Sequence, residues 1–120
     1  MSNLRKTLDA EKSALVTNPG EVVAEIEAIE DYVSKTDGAC LKVSMSALSG
    51  DEEGKHIVAI LSKAPQAAFR IRQLVEACGK NPDAINDSDE LIGCQVRVRL
   101  VEDHYKGERR LKVGSFARAV

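Results

Sequence analysis

The stretch GCQVRVRLVEDHYKGERRLKVGSF, Gly93 to Phe116, decides the fold. From Cys94 the residues alternate: Cys94, Val96, Val98 and Leu100 on one side, Gln95, Arg97, Arg99 and Val101 on the other. Successive side chains of a strand point to opposite faces, so a period of two marks a half-buried antiparallel strand. A polar run from Glu102 to Glu108 follows, with Lys106-Gly107 inside it. A second alternation then runs through Arg110, Leu111, Lys112 and Val113. Two such runs about a Gly-containing polar loop predict a β-hairpin, with one apolar face in the core and one arginine- and lysine-bearing face in water.

Upstream of the hairpin, Ala67, Ala68, Ile71, Leu74, Val75 and Cys78 form the stripe of an amphipathic helix. Ser62 is placed to cap it, Pro65 is tolerated in its first turn, and Gly79 with Asn81-Pro82 ends it. A short helical turn, Ser88 to Ile92 with Ser88 as its cap, leads into the hairpin. Phe69 and Phe116 are assigned to the core.

Three further strands precede the helix. His56 to Leu61 is a short, nearly continuous apolar run, expected to be a well-covered strand. Ala39 to Leu48 alternates, with Leu41, Val43 and Met45 inward and Lys42, Ser44 and Ser46 outward. Glu21 to Val33 carries two competing signals. Val22, Ala24, Ile26 and Ala28 fit one face of a strand, whereas Val22, Ile26 and Ile29 also fit a helical stripe. Strand is preferred, because Pro19-Gly20 before it and Ser34 to Gly38 after it suit a hairpin. Residues 1–17 form a separate N-terminal segment in which Leu4, Leu8 and Leu15, loosely spaced among charges, mark at most a short helix. The packed domain is expected over residues 18–120.

The prediction is thus a mainly β domain with one helix: a five-stranded antiparallel barrel with the helix between strands 3 and 4. That is the layout of an oligonucleotide/oligosaccharide-binding (OB) barrel. Gly20, Gly93 and Gly114 fall where a curled sheet needs bulges or flexible backbone.

The net charge is −2, but it is unevenly spread. Residues 1–60 hold 6 basic and 11 acidic side chains, whereas residues from Cys94 onward hold 7 basic and 3 acidic. Segregated charge can attract a polyanion to one face of a slightly acidic molecule; the alternative is that the charges simply solvate opposite surfaces. The three cysteines, Cys40, Cys78 and Cys94, are odd in number and form no Cys-x-x-Cys pair, so small core residues and a reducing compartment are expected. No apolar run approaches a membrane span and the N-terminus lacks a signal-peptide core, which points to a soluble, cytoplasmic protein.

Enzyme signatures are absent: there is no phosphate-binding glycine loop, no Gly-x-Ser-x-Gly elbow and no paired histidines of a zinc helix. No cofactor is expected. His56, His104 and the cysteines lack the spacing of metal ligands. Nucleic-acid binding has support instead. Barrels of this layout bind single strands on strands 2–3 and on the loops joining strands 1–2 and 4–5, here Ser34 to Gly38 and Asp103 to Arg109. The candidate contacts are Lys35, Lys42, Lys55, Arg97, Arg99, Tyr105, Lys106, Arg109, Arg110 and Lys112. A tyrosine such as Tyr105 stacking on a base contributes roughly 1–3 kcal/mol. With only Tyr32, Phe69, Tyr105 and Phe116 as aromatics, binding is expected to be mostly electrostatic, or shared among subunits of a homo-oligomer.

Pro19-Gly20 before the first strand, Leu91-Ile92-Gly93 leading into the fourth, and the Tyr105-Lys106-Gly107 turn together resemble a group of bacteriophage proteins. The resemblance covers roughly residues 18–117. It implies an OB-type single-stranded DNA-binding protein acting in replication or recombination, in the host cytoplasm, with replication or recombination proteins as partners. Two features depart from the group. Glu21-Val22 stands where an aromatic often follows the Pro-Gly, and the chain ends Phe116-Ala-Arg-Ala-Val without an acidic recruiting tail. The competing expectation is a barrel that serves protein–protein interaction or assembly without nucleic acid.

Overall fold

The alternation that begins near Cys94 becomes one of two long antiparallel ribbons of the molecule. The computed structural model describes residues 15–16, 18–35, 38–50 and 52–119, and at Tyr105 and Arg110 the backbone alone. The expected N-terminal helix up to Ala14 therefore lies outside the described residues. The strands are β1 (Gly20–Ser34), β2 (Gly38–Ala47), β3 (His56–Ser62), β4 (Gln95–Tyr105) and β5 (Glu108–Arg118). Between β3 and β4 lie a 3-10 turn at Pro65–Ala67, the helix α1 (Ala68–Ala77) and a second 3-10 turn at Ser88–Leu91. The strands form one antiparallel sheet in the order β3-β2-β1-β4-β5.

β1 is the spine. Its first residues, Gly20 to Glu25, pair with β4, while Ala24 to Ser34 pair with β2. The register with β2 slips between Ile26 and Ala28, leaving Glu27 as an extra, bulged residue. A bulge adds one residue to one strand, so it reverses which parity faces inward. Accordingly Ala24 and Ile26 are buried before it and Ile29 after it. The helix-like spacing of Ile26 and Ile29 is thus the trace of a bulged strand. A second slip lies in the β4–β5 pair between Arg99 and Leu100, opposite Gly114. A Cβ at Gly114 would stand 3.2 Å from a Val101 methyl, so the bulge is closely packed and a side chain there would push Val101 aside by a few tenths of an ångström.

Several local expectations are corrected. β3 is covered on one face only: Ile57, Ala59 and Leu61 are buried, but Val58 and Ile60 are 39% and 44% exposed. An apolar run reads the same whether one face or both are covered, and among the described residues no element lies over the outer face of this edge strand. On β2, Cys40 is buried while Leu41 is only half-buried. Ser62 does not cap α1; its Oγ accepts the Ala64 N–H at 3.1 Å, a local turn that sets up the preceding 3-10 segment. The cap of the second 3-10 turn is Asp87 rather than Ser88, with Glu90 Oε2 accepting the Asp87 N–H at 3.0 Å in return. Gly79 ends α1 as expected, at φ +77°, with Lys80 N–H on Val75 O and Gly79 N–H on Glu76 O, the paired bonds of a Schellman ending.

The sheet is not closed. β3 and β5 are its two edges, and between them runs a groove of about 420 Å³ lined by Leu15, Val16, Ile57, Val58, Leu111 and Val113 among others. The expected closed barrel is corrected to an open five-stranded sheet, and the reason lies in who takes the edge groups. Gln73 Oε1 of α1 accepts the Phe116 N–H at 3.0 Å, and Arg70 Nη1 donates to Val113 O at 3.3 Å. On β3, Val16 N–H donates to His56 O at 2.9 Å. Polar edge groups that strand pairing would have used are already satisfied by other partners. Ile26, Val43, Met45, Leu61, Leu74, Leu91, Val96 and Val98 fill the core beneath.

Candidate nucleic-acid interface

The hairpin turn is shorter than its polar sequence suggests. Lys106 and Gly107 both have positive φ, +52° and +80°, the backbone of a two-residue type I′ turn. That turn twists in the same sense as the strands it joins, so pairing continues to Tyr105 and Glu108. Asp103 to Arg109 is therefore not a loop, as expected from sequence, but the paired end of a ribbon. Gly107→Val is expected to cost about 1–2 kcal/mol, because a β-branched residue pays the full steric penalty of left-handed backbone. A urea midpoint unchanged from wild type would contradict this turn.

Register then assigns the faces. On β4, Val96, Val98 and Leu100 point inward and are buried, so Arg97, Arg99 and Val101 point outward. On β5, Phe116 and Val113 are buried, so Ser115, Ala117 and Lys112 point outward, Gly114 absorbing the shift of parity. Arg97, Arg99 and Lys112 thus share one exposed face, with Arg99 opposite Glu21 of β1. The remaining candidates are dispersed. Arg109 falls on the opposite parity, and both it and Lys112 border the groove. Lys106 occupies the turn, and Lys35 the β1–β2 turn at Ser34 to Gly38. Lys42 is half-buried on β2 opposite Glu30, and Lys55 precedes β3. The side chains of Tyr105 and Arg110 lie outside the described residues.

The same geometry brings acids onto the cations. Arg97 Nε lies 3.8 Å from Glu21, and its Nη2 donates to Ala119 O at 3.4 Å. Lys112 Nζ lies 3.7 Å from Asp103, and Lys55 Nζ 3.5 Å from Glu52. Arg109 pairs with Glu102. Glu52 is itself buried and also accepts the Asn18 N–H at 3.0 Å, which fixes the chain where it turns into β1. The pairs at Arg97, Arg109 and Lys112 are exposed on both sides, so each stabilises by no more than about 1 kcal/mol and exchanges readily with another anion.

Two features escaped the sequence reading. Phe69, assigned to the core with Phe116, is 64% exposed, whereas Phe116 is buried at 5%. Its position off the helical stripe of Ile71, Leu74 and Val75 already carried that signal. The Arg70 guanidinium carbon sits 5.9 Å from its ring centre. Cys78 and Cys94, 16 positions apart, meet where α1 ends and β4 begins, and both are free thiols. Burial, and then the neighbouring Cys94, push the Cys78 thiol from its ordinary 9.0 up to about 12, against a smaller opposing pull from Lys80. An unfolded chain would lose that proton near 9.0 and the folded one near 12. Stability contributed by the thiol is therefore full below pH 9 and falls as pH rises through that window. Wild type should lose stability relative to Cys78→Ala between pH 9 and 11; parallel urea midpoints for the two would overturn the assignment.

Among the described residues, no group of three His, Cys, Asp or Glu could hold a metal ion, and no helix is long and apolar enough to cross a membrane. His56 Nδ1 lies 3.4 Å from Glu27 Oε1, a tie between β3 and the bulge of β1. Compared with protein-family models and with curated proteins, the chain matches none.

Proposed function

We propose that the protein binds single-stranded DNA on the outer face of the β4–β5 ribbon, as a non-enzymatic, half-open OB-type domain of the kind that serves phage replication or recombination. The observation that carries the reading is the convergence of Arg97, Arg99 and Lys112 on one exposed face. The strand order β3-β2-β1-β4-β5, with a long shared β1 and α1 between β3 and β4, supports the OB-type assignment. In it the facing edges β3 and β5 stand where a barrel would close.

Binding on such a face is electrostatic. Each phosphate met by a cation releases counterions, so affinity should fall with salt by about 0.7 in log K per log unit of salt and per contact. A titration of fluorescein-labelled dT20 at 20 and 200 mM salt tests this directly. Salt-sensitive binding at 20 mM supports the reading; no binding there ends it.

The second reading, a protein-interaction module, is favoured by the apolar groove between β3 and β5 and by exposed Val58, Ile60 and Phe69. Recovery of a protein partner by a route insensitive to nuclease, with no oligonucleotide binding, would select it.

A further inference from the structure

The outer face of the ribbon carries its own anions. Glu21 reaches Arg97 at 3.8 Å across the β1–β4 pair, and Asp103 reaches Lys112 at 3.7 Å across the β4–β5 pair. Both contacts are diagonal on the same face: Glu21 is in register with Arg99, and Lys112 with Val101. Cross-strand diagonals lie within reach of long side chains, so the sheet register itself sets these partners. Arg99 stands between them, opposite Glu21.

We propose that Glu21 and Asp103 are affinity-setting residues of the nucleic-acid face, acting as built-in competitors for phosphate at Arg97 and Lys112. The inference rests on the proposed single-strand binding and names what regulates it. An incoming phosphate must displace a carboxylate that stays tethered a few ångströms away and continues to repel it. A single phosphate gains little from that exchange. A run of phosphates meets Arg97, Arg99 and Lys112 together and displaces both carboxylates in one event. The face therefore selects a polyanion over isolated phosphate groups, and holds it weakly enough to release.

The test uses Glu21→Gln and Asp103→Asn, singly and together, against Asp83→Asn. Asp83 pairs with Arg72 at 3.2 Å beyond α1, so its amide variant makes the same change in net charge away from the ribbon. Labelled dT20 at 20 mM salt is the probe, with unfolding midpoints confirming that each variant is folded. Each ribbon variant is expected to tighten binding roughly 2- to 5-fold, the range an exposed ion pair can supply. The gain should shrink at 200 mM salt as screening shortens the reach of each charge. Asp83→Asn should change affinity much less. If wild type binds and all three amide variants tighten equally, the effect is one of net charge and the inference falls while the binding reading stands. If neither wild type nor any variant binds at 20 mM salt, the binding reading falls and takes the inference with it.

Discussion

Replacing Phe116 by alanine is expected to destabilise the fold by about 3–5 kcal/mol, the usual cost of truncating an enclosed aromatic ring. Phe116 is 5% exposed, lies opposite Val98 in the β4–β5 register, and belongs to the same core as Val98 and Val113. Its backbone N–H is held by Gln73, so the strand cannot easily slide to fill the space left behind. A domain of this size has roughly 5–15 kcal/mol of stability in all, so the urea midpoint should fall by a large fraction of its value. Phe69→Ala removes the same number of atoms from a 64% exposed side chain and should stay within about 0.5 kcal/mol of wild type. Equal losses at the two positions would mean that the packing of α1 against β5 is other than described.

The second large effect concerns Arg97 and Arg99. Replacing both by alanine removes two of the three described cations of the ribbon face and leaves Glu21, the partner of Arg97, as an unpaired negative charge beside them. Affinity for dT20 should drop most at low salt, and the slope of log K against log salt should flatten by about 1.4, two contacts at about 0.7 each. Both side chains are exposed, so the unfolding midpoint should hardly move. A double variant that binds like wild type, with the same slope, would remove the ribbon face from the proposal. Lys42→Ala is a useful contrast, since Lys42 lies on β2 opposite Glu30, two strands away from the β4–β5 ribbon.

The order of elements was legible in the sequence because the signals that encode it are local. Alternation through Val96, Val98 and Leu100 marks a strand wherever that strand ends up, and Gly79 ends a helix whatever packs beside it. The inward and outward assignment of Arg97, Arg99 and Lys112 follows from the same period of two, given a bulge at Gly114. What local pattern could not supply was any property set by residues far apart in the chain. Whether the sheet closes depends on Gln73 and Arg70 reaching β5, contacts that span 43 positions. Whether a cation stands alone depends on Glu21 meeting Arg97, which follows from the β1–β4 register and not from either segment. Local pattern alone encodes the strands, the helix and the sign of charge on the hairpin. The open sheet and the acids on its cationic face come from long-range packing, because each is a choice of partner among groups equally able to bond.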